Sequence, residues 1–353
     1  MKLARFLTLT AVLSFSLSAL PRLSARTAGV DDRTAAFDAV APFSRADAPV
    51  MPQRGGISMV AVLRRDGTII PFANWNGRKW SSSWPAAAAT IDVPITLESV
   101  PRGWWPDGRP QTSWTAWPIG GTPQTINVKA PLAIGQHCDM NVGLATDYRS
   151  AEPAPPPQVQ PYPKDGVATT GGLKVEQVEI VSKDSPLRTE LQREAQRALG
   201  EAEDRFFDST VVFRSTLRAA WEIEVVARTS APRQAGASIF YLEAVRRHPF
   251  GLADSRGRQD RPQGTSQPCR AFTIAQGFAF RSAAGKWSFD VDAYVAPCGR
   301  GEMVYGLPLG EMRVGDRLYW LMQVSGWGYE RYEVLDMQLG SIKRALSVFA
   351  GSC

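Results

Sequence analysis

At 353 residues, 44% hydrophobic and 21% charged, the chain has the composition of a folded protein. It is long enough to bury a core without depending on disulfide or metal staples. The formal net charge is +6, but the basic residues are mostly arginines scattered along the chain, so no nucleic-acid partner is expected; the length suggests about two domains of roughly 150 residues.

Lys2 and Arg5 precede an apolar run, residues 6–20, whose only polar members are Ser and Thr. The small-residue sequence Leu23-Ser24-Ala25 follows. A positive region, a short apolar core and a small-residue site are the parts of a secretory signal peptide, and the run is short for a membrane span. Residues 1–25 are therefore read as a signal cleaved after Ala25, with Ala19 as the second site; an uncleaved anchor is the competing reading. No cysteine stands at the cleavage point, so no lipid anchor is expected. No later stretch is long and apolar enough to suggest a transmembrane segment. The expected location is the periplasm or the cell exterior. Residues 26–52 lack a sustained period and read as a flexible lead-in.

Residues 53–150 read as a Trp-rich antiparallel β domain. Strands are expected at 57–63, 68–73 and 78–84, with Asp66-Gly67 and Asn76-Gly77 as type I′ hairpin turns. More are expected at 90–100, 112–119, 124–130 and 140–146. The segment AEPAPPPQVQPYPKDG, residues 151–166, favours extended polyproline II. It is either a linker between two domains or a connection inside one.

Residues 167–353 read as an α+β domain with an antiparallel sheet. A strand at 173–181 precedes a helix capped by Ser185, with Pro186 in its first turn. Leu187, Leu191, Ala195, Ala198, Ala202 and Phe206 line its expected apolar face. Strands follow at 211–217, at 219–228 with Trp221, Ile223, Val225 and Ala227 on one face, and at 237–246. After a polar loop at 251–268, the segments 271–281 and 286–295 form a hairpin around 282–285. A last pair spans 318–324 and 329–337, and a short helix covers 341–349. The fold class is mainly β, a β-rich α+β arrangement of antiparallel meanders with one long amphipathic helix packed on a sheet.

Four cysteines favour two disulfides in an oxidising compartment. Cys269 with Cys298 is the favoured pairing, because both flank one expected hairpin; Cys138 with Cys353 is left. The cysteines lack C-x-x-C spacing and the chain has two histidines, so no metal site and no cofactor are expected.

Chemistry has few anchors. There is no G-x-S-x-G elbow, H-E-x-x-H, P-loop or dinucleotide glycine fingerprint. His137 adjoins a cysteine and His248 precedes Pro249, and both read as structural. Carboxylate chemistry needs no histidine. Glu243 interrupts an apolar strand, and Asp290 and Asp292 share one face of another. These are the candidate catalytic residues, with solvent-facing strand positions as the plainer account; Glu330 and Glu333, flanking Tyr332, are further acids of the same kind. Trp75, Trp80, Trp84, Trp104, Trp105, Trp114 and Trp117 fall close together. Indole faces can stack on sugar rings, which makes Trp84, Trp104, Trp105 and Trp114 candidate ligand-binding residues; filling a β core is the other use of such rings. The expected function is a non-catalytic exported protein that binds a glycan or an envelope protein through a β surface. The alternative is a secreted glycoside-type hydrolase using a carboxylate pair.

Overall fold

The computed structural model describes residues 57–84, 96–208, 219–247, 272–296, 305–326 and 328–352. The expected signal and lead-in, the strand at 211–217, the loop at 251–268, most of the strand at 90–100, His248, Cys269, Cys298 and Cys353 lie outside these residues.

The first half curls into a closed barrel. Its strands are β1 (Ser58–Arg64), β2 (Thr68–Trp75), β4 (Ser113–Pro118), β5 (Gln124–Gln136), β6 (Asp139–Thr146) and β7 (Lys164–Thr169), with the short β3 (Trp80–Ser81) appended to β2. All neighbours are antiparallel, and the ring runs β1-β7-β4-β5-β6-β2 and back to β1. Closure removes the exposed edges that an open sheet of this size would present. Inward-facing Ala61, Ile69, Trp114, Ile126, Val142 and Ala168 come from all six strands and form one cluster. Because β7 completes the ring, the Pro-rich segment is a connection within the barrel, and the barrel reaches Thr169 rather than residue 150.

The second half forms two further sheets. An outer sheet has the order β12-β11-β10-β9-β8, made of β8 (Glu179–Ile180), β9 (Glu222–Ser230), β10 (Ser238–Arg247), β11 (Phe272–Arg281) and β12 (Trp287–Ala296). A middle sheet is the meander β13 (Tyr305–Val314), β14 (Arg317–Gly326), β15 (Tyr329–Gln338) and β16 (Ser341–Ser352). The helix α1 (Pro186–Asp208) covers the outer sheet.

Strand alternation orders these parts as layers. Tyr319, Leu321, Tyr332 and Val334 of the middle sheet pack on Val60, Val62, Phe72 and Val167 of the barrel wall. The opposite face, with Leu318, Trp320, Leu335 and Met337, packs on Ala227, Ile239, Tyr241 and Phe280 of the outer sheet. The far face of the outer sheet, through Val226, Phe240, Leu242 and Ala275, takes Leu191, Ala195, Leu199 and Ala202 of α1. Barrel, middle sheet, outer sheet and helix therefore follow one another. No helix among the described residues is long and apolar enough to cross a membrane.

Several local expectations need correction. The turn at Asp66-Gly67 is not type I′, because only Gly67 has positive φ (82°). The Asp66 carboxylate accepts from the Thr68 amide (3.1 Å) and from Arg64 and keeps Asp66 in ordinary φ, while a Cβ on Gly67 would lie 2.7 Å from the Tyr148 carbonyl oxygen. At Asn76-Gly77, too, only the glycine has positive φ. The helix buries Leu199 and Phe207 rather than Phe206, together with Arg188, whose guanidinium donates to the carbonyls of Val181, Ile223 and Glu224. In β9 a bulge beside Glu224 breaks the alternation, so Ile223 and Val226 face the helix and Ala227 faces the middle sheet. The expected strand at 173–181 pairs in the outer sheet only at Glu179–Ile180. Residues 341–349 are strand, not helix: β16 pairs with β15 along its whole length, and that pairing overrides the helical spacing of Ile342, Ala345, Leu346 and Phe349.

Two features tie the layers together. Lys164 on β7 and Glu330 on β15 form a buried ion pair (2.8 Å), and the lysine also donates to Tyr162 O. Burial pulls the Lys164 ammonium below its ordinary pKa, against the attraction of Glu330. Lys164→Met should cost about 3–5 kcal/mol in urea denaturation because it strands a buried carboxylate, while Lys164→Met/Glu330→Leu should recover most of the loss. A single-variant cost below about 1 kcal/mol would contradict the burial of the pair.

The second tie lies at the chain's end. The Cys138 amide donates to Ser352 O (3.1 Å) and the Ser352 amide to the Asp139 carboxylate (2.7 Å). Cys138 is not a free thiol. We propose Cys353, one residue beyond Ser352, as its partner. Non-reducing peptide mapping should recover the two cysteines in one linked fragment; linkage of Cys138 to Cys269 or Cys298 would refute the pairing.

Candidate functional site

The tryptophans are placed first as core. Trp84, Trp105 and Trp114 are buried in the barrel cluster and Trp104 is half-buried against it. Trp84 meets Trp104 and Trp105 edge-on with ring centroids 5.2 and 5.1 Å away, and its Nε1 donates to Val142 O. Trp114 Nε1 donates to Gln111 O. Trp75 and Trp80 pack with Tyr319 between barrel and middle sheet. Trp84, Trp105 and Trp114 thus offer no open ring face for a sugar. Trp104 and Trp105, between Gly103 and Pro106, sit at the end of a 3₁₀ turn over Arg102–Trp104, and both indoles pack back onto the barrel.

The carboxylates fare differently. Pairing in the outer sheet sets Tyr241, Phe278 and Asp290 in one cross-strand row, Glu243, Gln276 and Asp292 in the next, and Val245, Ile274 and Tyr294 in a third. All nine lie on the face turned toward the middle sheet. There the two sheets part and leave a pocket of about 280 Å³. Asp290 and Asp292 line it and are exposed. Across it stand Arg331 and Glu333 of β15 and Arg344 of β16. Phe278, Met322, Val324 and Leu335 supply the apolar wall.

Glu243 sits behind this pocket, only 2% exposed. Its Oε1 accepts from the Tyr241 hydroxyl (2.7 Å) and from the Gly306 amide (2.7 Å). The Tyr241 oxygen approaches Gly306 so closely that a Cβ there would lie 2.5 Å away, so any side chain at 306 would have to displace the Tyr241 ring and the Met322 terminus. Glu243 therefore pins β13 to β10 and shapes the pocket from behind.

Glu333 is buried and charge-paired: Arg331 Nε lies 2.7 Å and Arg344 Nε 3.0 Å from the same oxygen, Oε1, and Ser347 also donates to it. Tyr294 lies between the two walls. Burial raises its pKa, the charge of Asp292 adds to the rise and Arg331 opposes it. No group of three or more potential metal ligands occurs among the described residues.

The expected candidates Glu243, Asp290 and Asp292 are thus brought to one region, in different roles. Gln276, Tyr294, Arg331 and Arg344 were not singled out from the sequence. Tyr294 was within reach of the two-residue period that marked Asp290 and Asp292. The arginines belong to other strands, and no local pattern places them opposite. No family model, no curated protein and no solved structure matches the chain.

The packing yields a direct test. Trp105→Ala should open a cavity and lower stability by about 3–5 kcal/mol in thermal or urea unfolding. A loss below about 1 kcal/mol would restore Trp105 as a surface residue.

Proposed function

We propose that the protein is exported and binds a small polar ligand in the pocket between the middle and outer sheets, without turning it over. The observation that carries this reading is the pair of carboxylates, Asp290 and Asp292, unpartnered among the described residues, in a concave site with polar groups on both walls. The N-terminal signal pattern supports export, and the missing nucleophile motifs support binding rather than turnover. A glycoside hydrolase needs two acids on opposite sides of the scissile bond. Asp290 and Asp292 project from one strand, and the acid across the pocket, Glu333, is occupied by two guanidiniums. An envelope-protein partner, the other occupant expected from the sequence, would use a broader surface than this pocket.

The test is a thermal-shift screen of sugars, amino acids, polyamines and organic anions on the mature protein, repeated with Ile342→Trp, which fills the pocket from its half-buried rim. Hits should raise the melting temperature of the parent by several degrees and leave the variant unmoved, while chromogenic glycosides stay intact. Shifts that survive in Ile342→Trp would remove the pocket from the reading. Glycoside cleavage abolished by Asp290→Asn or Asp292→Asn would replace binding with hydrolysis.

A further inference from the structure

Resting on that binding reading, we infer that the pocket's ligand is a small zwitterion, an amino acid or a molecule of that class, whose ammonium group meets Asp290 and Asp292 and whose carboxylate meets Arg331 and Arg344.

The charges on the two walls are not paired with one another. Asp290 and Asp292 take part in no hydrogen bond or ion pair among the described residues. Arg331 and Arg344 each reach Glu333 through Nε, and their terminal nitrogens make no further hydrogen bond among the described residues. Two guanidiniums against one carboxylate leave a net positive charge on that wall, while the opposite wall carries two negative charges. Side chains of opposite sign lining one pocket would be expected to pair, yet no ion pair joins Asp290 or Asp292 to either arginine among the described residues. Glu333 holds the arginines back by their Nε atoms, and the aspartates are fixed on the opposite sheet. A gap remains between two complementary charges.

A simple cation would satisfy the aspartates and leave the arginine forks unpaired; a simple anion would do the reverse. Beside Phe278, Met322, Val324 and Leu335, unpaired charge is costly, because the apolar wall weakens solvation. A molecule carrying both charges satisfies both walls. The guanidinium fork suits a carboxylate in particular, since two terminal nitrogens can donate in parallel. The Tyr294 phenol, hydrogen-bonded to Gln276, lies in the field of both Asp292 and Arg331. The volume of about 280 Å³ falls just below the usual span of small-molecule sites, roughly 300–1,000 Å³, and suits an amino acid better than an oligosaccharide.

The experiment is calorimetric titration of the full mature protein with the standard free amino acids and with the N-acetyl and carboxamide form of every binder. At least one free amino acid should bind. Blocking either end should weaken it by about tenfold or more, the equivalent of one charge-assisted bond. Asp292→Asn should remove the sensitivity to N-acetylation, and Arg344→Gln the sensitivity to amidation. Circular dichroism melts of both variants, which change exposed groups, confirm that they fold. Binders whose blocked forms bind equally well would overturn the zwitterion inference. So would a panel with no amino-acid binder; if a sugar or polyamine then binds and Ile342→Trp abolishes it, the pocket stands and only the ligand class falls. If no compound of any class binds, both readings fall together.

Discussion

The central strand of the middle sheet, β14, meets water on neither face, and the rest of the structure is arranged around that fact. Every residue of β14 from Leu318 to Ser325 is buried, alternating between the barrel side and the outer-sheet side. A strand apolar on both faces needs two covers. The barrel wall supplies one through β1, β2 and β7. The outer sheet supplies the other, and its own far face then needs α1. Three buried polar contacts join the layers: Glu330 to Lys164, Tyr332 to Gln136 (3.0 Å), and Glu203 of the helix to Arg246 of β10. Such contacts fix register more than they add stability.

The pocket is where that stacking changes character. Over most of the interface between middle and outer sheets the rows are aromatic and aliphatic, with Phe278 meeting both Tyr241 and Trp320. Toward Asp292 and Arg331 the same rows become charged, and the sheets stop interdigitating. Glu243 marks the border. It belongs to the charged row by position and to the core by burial, and its bonds to Tyr241 and Gly306 let the change occur within one strand spacing.

Local signals carried the strands and not their neighbours. The two-residue period over 271–295 and 318–337 located both hairpins, because each is continuous in sequence. β13 escaped notice, since Gly306, Pro308 and Gly310 remove the β-branched pattern that marks a strand. The tryptophan cluster was visible as a cluster, yet its burial depends on barrel closure, and closure depends on the distant pairing of β7 with β1 and β4. For the same reason the aspartates could be seen to share a face, but not to oppose arginines some forty and fifty residues further on, because no rule of local periodicity says which sheets will stack. The C-terminal strand was misread as helix because its spacing of apolar residues suits both, and only its pairing with β15 decides.

The order of the layers in space differs from their order along the chain. The barrel and the helix-backed outer sheet are both encoded before the sheet that separates them, which occupies the final fifty residues or so. Until that last segment is present, the barrel wall around Val62, Phe72 and Val167 and the outer-sheet face around Ile239 and Phe280 have nothing to rest on. A chain emerging from its N-terminus carries two sticky surfaces that would pair with each other, or with another molecule, before the proper spacer arrives. Holding the chain unfolded until its end is available avoids that error. If the chain is exported as proposed, passage through a membrane as an extended thread would impose that delay.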